Sequence, residues 1–291
     1  MNTTWSTCIQ KADMLYQTRA LRFDDRFKGN YTPAFNLCGT GSILEIGAGP
    51  GALTQALARW YPNAKITGSD RDAVFVEFAK AKVPDIEFVE ADINALPFAD
   101  ESFDATISHS VQEHVKPDKF FGEQHRVLKP GGVCIILSAG RRSINIASSE
   151  VANASEFEQE MHKKTEPYFK AADEKYNVAK YGCNEQELPQ LMSRYGFGNI
   201  ETHYIGINLT PDSAQYDRDF AIKMIEANRL VSLGAVEHLP DIAPGVLTDE
   251  EIKRWKADIN RRYDARITQY NSGDKQWDVS ISFTMILRGV K

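Results

Sequence analysis

Between residues 43 and 137, short apolar runs alternate with longer stretches whose apolar positions recur every three or four residues. The short runs predict buried strands, and the longer stretches predict helices with one apolar face. Strands are expected over Ile43–Ile46, Lys65–Ser69 (closed by Asp70), Ile86–Glu90 (followed by Ala91 and Asp92), Asp104–Ser108 and Val133–Leu137. Helices are expected over Ala52–Trp60, over Ala73–Lys82 with Val74, Phe75, Phe78 and Ala79 as its apolar stripe, and over Asp118–Leu128. Strict alternation of the two predicts an α/β fold, a doubly wound parallel sheet covered by helices on both faces. Its ligand belongs outside the carboxyl ends of the strands.

Outside this span the rhythm changes. Residues 5–30 carry Trp5, Ile9, Met14, Leu15, Leu21, Phe23 and Phe27 among charges, a loose helical pattern broken by Gly29, Asn30 and Pro33. Two readings stand for it: a helix packed on the domain edge, or a lid with Tyr16 or Arg22 reaching into the ligand pocket. Residues 141–192 are polar and helical in flavour, with a helix over Glu185–Tyr195 ending at Gly196. A strand is expected over Asn199–Asn208, and a charge-rich helical stretch over residues 212–270. Trp277–Arg288 alternates apolar and polar positions with a period of two, the pattern of a final strand. The two helical stretches read as insertions that cap the sheet; the alternatives are a thicker hydrophobic core or a homodimer surface.

The chemistry starts at Glu45-Ile46-Gly47-Ala48-Gly49-Pro50-Gly51, which joins the first strand to the first helix. Glycines at alternate positions let the backbone turn sharply and let a ligand come where a Cβ would block it. The helix that follows offers unpaired N–H groups at the same place. By itself this is a nucleotide cradle of unspecified type, because Gly47-x-Gly49-x-x-Ala52 with Asp70 also satisfies a relaxed dinucleotide fingerprint.

Composition narrows the class. Among 291 residues, 42% are hydrophobic and 25% charged, which suits a folded globular protein. A net charge of -6 disfavours a general nucleic-acid surface. No basic and apolar leader opens the chain and no run reaches membrane-spanning length. Cys8, Cys38, Cys134 and Cys183 are scattered without metal-ligand spacing. A cytoplasmic location, with no membrane, nucleic-acid or metal partner, is the expectation.

The set of pieces resembles the class I S-adenosylmethionine-dependent methyltransferases. It comprises the acid–glycine turn from Glu45 to Gly51, Asp70 closing strand two, Asp92-Ile93 after strand three, Phe103–His109 for strand four, and Leu128-Lys129-Pro130-Gly131-Gly132 before strand five. The flavour is that of the UbiE-like group of small-molecule methyltransferases. The resemblance implies a Rossmann-like sheet with an antiparallel final strand and S-adenosyl-L-methionine as cofactor. It implies that Gly47, Ala48, Gly49 and Gly51 lie against the methionine part, with Glu45 directed to the amino group. Asp70 would take the ribose hydroxyls and Arg71 flank the adenine. Asp92 would accept from the adenine amino group while Ile93 packs on the ring, with His109 and Ser110 at the methionine end. Capping of helices is the competing role for both aspartates.

On this resemblance the expected domains are an N-terminal helical lid (1–42), a cofactor-binding core (43–140), and a remainder (141–291) that completes the sheet and carries the cap. The expected reaction is methyl transfer to a small molecule. His114 is the candidate general base, since relatives with a Glu-His-Val element use that loop near the substrate; packing of the loop is the equal alternative. Quinone-biosynthesis relatives that hold a metal carry a further acid where this chain has Ser110. Arg141 and Arg142 are candidates for an anionic substrate group. Tyr176 and Lys180 have the Tyr-x-x-x-Lys spacing of short-chain dehydrogenases but read as one solvated helix face. Two rival functions remain: an NAD(P)-dependent oxidoreductase, and a module that binds S-adenosylmethionine without turnover.

Overall fold

The structure is a computed structural model that describes residues 4–147 and 149–291, with side chains for all of these except residue 4 and residues 138–147. The N-terminal part is three helices, α1 (Thr4–Cys8), α2 (Ala12–Arg22) and α3 (Lys28–Phe35). Strands and helices then alternate, except that β3 and β4 are joined by a loop: β1 (Ser42–Ile46), α4 (Ala52–Trp60), β2 (Lys65–Asp70), α5 (Ala73–Lys82), β3 (Glu87–Glu90), β4 (Phe103–His109), α6 (Pro117–Val127) and β5 (Leu128–Ala147). The chain then runs through α7 (Glu156–Lys175), α8 (Glu187–Arg194), β6 (Gly198–Asn208), α9 (Arg218–Glu237), α10 (Leu239–Ile242), α11 (Asp249–Ser272) and β7 (Val279–Val290).

The strands form one sheet in the order β3-β2-β1-β4-β5-β7-β6. The first five pair in parallel, whereas β7 is antiparallel to both β5 and β6. This is the doubly wound, mostly parallel sheet with an antiparallel final strand. Burial on both faces explains the continuous apolar runs. Ile43, Ile107, Ile135, Leu137 and Ile286 face one core with α3, α4 and α9. Their neighbours Leu44, Cys134, Ile136, Met285 and Leu287 face the other with α6 and α8. A third apolar cluster, including Met161, Ile225, Trp255, Ile259 and Tyr263, joins α7, α9, α10 and α11 to one another.

Three local expectations need correction. Gly29, Asn30 and Pro33 do not break a helix but lie within α3. Gly29 and Pro33 are exposed, so water serves the carbonyl that proline leaves without a donor, while buried Tyr31, Ala34 and Phe35 hold the helix to the core. In α5 the side chain of Val74 is 48% exposed and Val76 is buried instead, beside Phe75 and Ala79. The polar stretch after Leu137 continues β5 to Ala147, since its backbone pairs with β7 as far as Ala147↔Val279.

One buried ionic group ties the helical layer to the sheet. Arg266 of α11 and Asp212 are both about 1% exposed and pair through Nη2 at 2.5 Å. Asp212 Oδ2 also accepts the backbone N–H groups of Gln276 and Trp277, at 3.2 and 2.8 Å. Arg266 Nε donates to Asp278, whose other oxygen accepts the N–H of Ser149 beyond the end of β5. Removing one partner of a buried pair leaves the other charge uncompensated. Asp212→Ala is therefore expected to lower unfolding stability by about 3 kcal/mol, towards the lower end of that class because Asp278 still faces Arg266. Urea unfolding of the two proteins checks it; a loss below about 1 kcal/mol would show the pair to be dispensable.

Candidate active site

A cavity of about 810 Å³ opens at the carboxyl ends of β1 to β4. Glu45, Gly47, Ala48, Gly49, Asp70, Arg71, Asp92, Ile93, His109, Ser110 and His114 all line it. Gly51 is not among the lining residues. It adopts φ +87° at the start of α4, where a Cβ would come within 2.9 Å of the Phe88 ring, so packing dictates that glycine. Gly47 has φ +68°, and a Cβ on it would stand 2.3 Å from Val111 Cγ2. The turn after β1 thus passes closely under the loop after β4.

Asp70 organises the turn from the end of β2. Its Oδ2 accepts the N–H of Gly49 at 2.8 Å and its Oδ1 the N–H of Asp72 at 2.9 Å. Burial pushes its carboxyl up to about 6, against the pull of those two N–H groups. Asp92 sits in a tight turn, its Oδ1 accepting from the backbone and side-chain nitrogens of Asn94 at 2.9 and 2.6 Å. Glu45 is 2% exposed on β1 and accepts the Thr54 hydroxyl. Burial above all raises its carboxyl to about 8, with Asp70 adding like-charge repulsion. A buried acid in that condition favours a cationic partner, which would restore its charged form.

The N-terminal helices close one side. The backbone N–H and hydroxyl of Ser6 both donate to Asp72, at 2.8 and 2.9 Å, which pins α1 to the start of α5. Leu15, Arg19 and Phe23, four residues apart, all line the cavity. Neither residue expected to reach inside does so. The Tyr16 hydroxyl donates to Gln55 of α4 at 2.7 Å, and Arg22 lines a separate chamber. Arg19 reaches in instead, its Nη1 lying 2.5 and 2.8 Å from the two ring nitrogens of His109. The signal was present in the sequence as a lone cation midway between Leu15 and Phe23 on one helix face. Asp72 gave no comparable signal, because its partner is 66 residues away.

The opposite wall comes from residues 176–183, stitched to the short turn after β4. Tyr181 N–H donates to the Glu113 carbonyl at 2.9 Å, Gln112 Nε2 donates to the Tyr181 carbonyl at 2.9 Å, and Ala179 N–H donates to His114 Nδ1 at 2.9 Å. That last bond occupies the Nδ1 lone pair and selects the tautomer with its proton on Nε2. Trp5 stands edge-on to the same ring at 4.6 Å. His114 thus helps join this wall to the turn after β4. Tyr176 and Lys180 do not share a helix face: α7 ends at Lys175, and both residues line the cavity. The side chains of Arg141 and Arg142 lie outside the described residues. Among the described residues no group of three His, Cys, Asp or Glu side chains could hold a metal ion.

Residues 44–136 match the family described as "Methyltransferase domain". The chain is 30% identical over 137 residues to the ubiquinone/menaquinone biosynthesis C-methyltransferase UbiE of Desulfotalea psychrophila, covering 46% of this chain and 56% of that protein. It is 38% identical over 96 residues to the demethylmenaquinone methyltransferase of Chlorobaculum parvum, covering 33% and 39%. It is 36% identical over 104 residues to the fatty-acid O-methyltransferase of Mycolicibacterium smegmatis, covering 34% and 38%. The chain thus spans about half or less of the length of these relatives. Among solved structures, phosphoethanolamine N-methyltransferase 2 of Haemonchus contortus, in complex with S-adenosyl-L-methionine, superposes with a TM-score of 0.52 and 17% identity, over 99% of this chain and 59% of that one. A protein from Anabaena variabilis, described as a methyltransferase of an antibiotic biosynthesis pathway, gives 0.53 and 18%, over 93% and 98%. At these identities the two structures show that the fold is shared.

Two measurements check the site. Native Glu45 keeps a proton between about 4.5 and 8 that the unfolded chain has lost, so its contribution to stability falls as pH rises through that window. The melting temperature should decline from about pH 6 to pH 8, and Glu45→Gln should flatten the decline. His114→Ala should speed amide hydrogen exchange at Ala179, whose N–H loses its acceptor.

Proposed function

We propose that the chain is an S-adenosyl-L-methionine-dependent methyltransferase that acts on a small-molecule acceptor. The observation that carries this is the gathering of three carboxylates, Glu45 near the end of β1, Asp70 at the end of β2 and Asp92 just past β3, around one cavity with the glycine turn. Each has a partner in the cofactor. The buried Glu45 suits a cationic amino group, Asp70 a ribose diol, and Asp92, with Ile93 beneath, an adenine amino group and ring. The glycine turn leaves room for the methionine part, and His109 and Ser110 stand over that end. No helix of the described residues is long and apolar enough to cross a membrane.

When bound, the cofactor supplies an activated methyl group, and the chemistry of transfer is its own. The protein's contribution is to hold an acceptor in line and keep water out, worth roughly 7–11 kcal/mol in a well-oriented site. In this reading residues 4–23 and 176–183 are the two flaps that exclude water, with α7, α9 and α11 as a substrate cap behind them. A menaquinone precursor is one acceptor that the UbiE-like relatives suggest; a cytoplasmic, monomeric or homodimeric enzyme fits equally.

Calorimetry on the intact chain tests the proposal. S-adenosylmethionine and S-adenosylhomocysteine should both bind, and NAD(P) should not; failure of both sulfur ligands to bind would sink the reading, and binding of NAD(P) alone would favour an oxidoreductase. Asp70→Asn should weaken the sulfur ligands about ten- to hundredfold, the worth of a charge-assisted hydrogen bond. Binding of the cation should ionise Glu45, so at pH 7 protons should be released into the buffer and affinity should rise with pH towards 8.

A further inference from the structure

The main cavity carries four lysines that the cofactor assignment does not use. Lys116 and Lys119 come from the start of α6, and Lys175 and Lys180 from the wall that begins at the end of α7. Apart from Glu45, Asp70 and Asp92, the carboxylate among the described lining residues is Glu113. Among the described residues no carboxylate stands within ion-pair distance of any of the four lysines. Lys180 Nζ takes a neutral partner, donating to Asn177 Oδ1 at 2.9 Å, and lies 5.9 Å from the centroid of the Tyr181 ring. Lys175 Nζ lies 5.0 Å from the centroid of the Tyr176 ring. A ring face attracts an ammonium without cancelling its charge. In a chain with a net charge of -6, this side of the cavity is a local departure in sign. It also adjoins the assigned methionine end. His109, Ser110, Val111, His114, Lys116 and Lys119 all line the cavity, so one stretch runs along it from the glycine turn, where Val111 packs on Gly47, to the lysines.

We propose that the lysine side of this cavity is the acceptor subsite, and that the acceptor is a small molecule carrying a phosphoryl group, held between Lys116 and Lys119 on α6 and Lys175 and Lys180 on the facing wall. The inference rests on the cofactor assignment above. Four ammonium groups against one carboxylate call for more than one negative charge. A phosphate monoester carries nearly two near neutral pH, and a carboxylate one. Lysine binds phosphate as a point charge with rotatable donors, whereas the planar fork of arginine is the match for a carboxylate. Tyr176 and Tyr181, both partly buried, offer ring surface beside the lysines for the body of the acceptor. With its phosphoryl group anchored there, the rest of the molecule extends along residues 109–119 towards the methyl group. The lysines are exposed, so their field reaches into solvent, draws an anion to the mouth and is screened by salt.

The test is calorimetry on the intact chain loaded with S-adenosylhomocysteine, titrated with phenyl phosphate, glycerol 3-phosphate, benzoate and benzyl alcohol. The two phosphate esters should bind at least about tenfold more tightly than benzoate, benzyl alcohol should bind least, and added salt should weaken the esters. The double variants Lys116→Gln with Lys119→Gln, and Lys175→Gln with Lys180→Gln, should each weaken the esters about ten- to hundredfold. Both should still bind S-adenosylhomocysteine, which shows that they are folded. Lys163→Gln with Lys253→Gln, two exposed lysines outside the cavity lining, should change nothing. Esters binding no better than benzoate, unaffected by either cavity variant, or weakened as much by the control variant would overturn the proposal. If S-adenosylhomocysteine itself does not bind, the cofactor assignment fails, and the same titrations on the unliganded protein still decide whether the lysines take a phosphoryl group.

Discussion

Everything at the site depends on a backbone turn with no room around it. Val111 presses on Gly47 from the loop after β4, and the Phe88 ring of β3 presses on Gly51 and on Gly68 of β2. Side chains at these positions would drive three strands apart. With glycine there, β1, β2, β3 and β4 end at one level, and the groups that follow them converge on a single cavity. The architecture of the cavity is in this sense a packing result. The acids at the ends of β1 and β2 and just past β3 line one cavity because the strand ends stand side by side.

Burial then sets the chemistry of those acids. Glu45 and Asp70 are held above their ordinary values by desolvation, and Asp70 is partly offset by the two N–H groups it accepts. Such groups destabilise the empty protein near neutral pH and are relieved by a cation or by hydrogen-bond donors. The site is thereby biased towards its ligand before the ligand arrives. The N-terminal helices complete it through remote contacts, among them the paired bonds from Ser6 to Asp72 and the approach of Arg19 to His109. The other flap is fixed by hydrogen bonds between its backbone and the Gln112 side chain, the Glu113 carbonyl and the His114 ring, so the two covers attach just past β2 and β4.

The helical layer has an apolar cluster of its own, shares α9 with the first core of the sheet, and is joined to the sheet by charge as well. Its own apolar cluster holds α7, α9, α10 and α11 together, and the Arg266 group joins them to the beginning of β7 and the end of β5. Gly234 in α9 allows the close approach of α2, since a Cβ there would meet Met14 Sδ at 2.6 Å. That contact is what makes α2 a thin wall between two cavities and not a simple surface helix.

The central elements were legible in the chain alone. The helices Ala52–Trp60 and Ala73–Lys82 occur with those bounds, and the glycine turn, Asp70 and Asp92 stand at the strand ends where spacing put them. Period and turn chemistry are local, and a strand buried on both faces leaves an unmistakable apolar run. What only the tertiary structure decided is long-range pairing. The polar half of β5 is a strand because β7 supplies its hydrogen bonds. Arg19, not Tyr16 or Arg22, enters the site because α9 and α4 fix the rotation of α2 about its axis. His114 meets the wall of residues 176–181 because Ala179, 65 residues on, donates to its ring. Hydrophobic pattern reports which face of an element is buried; it does not report which distant group that face will meet.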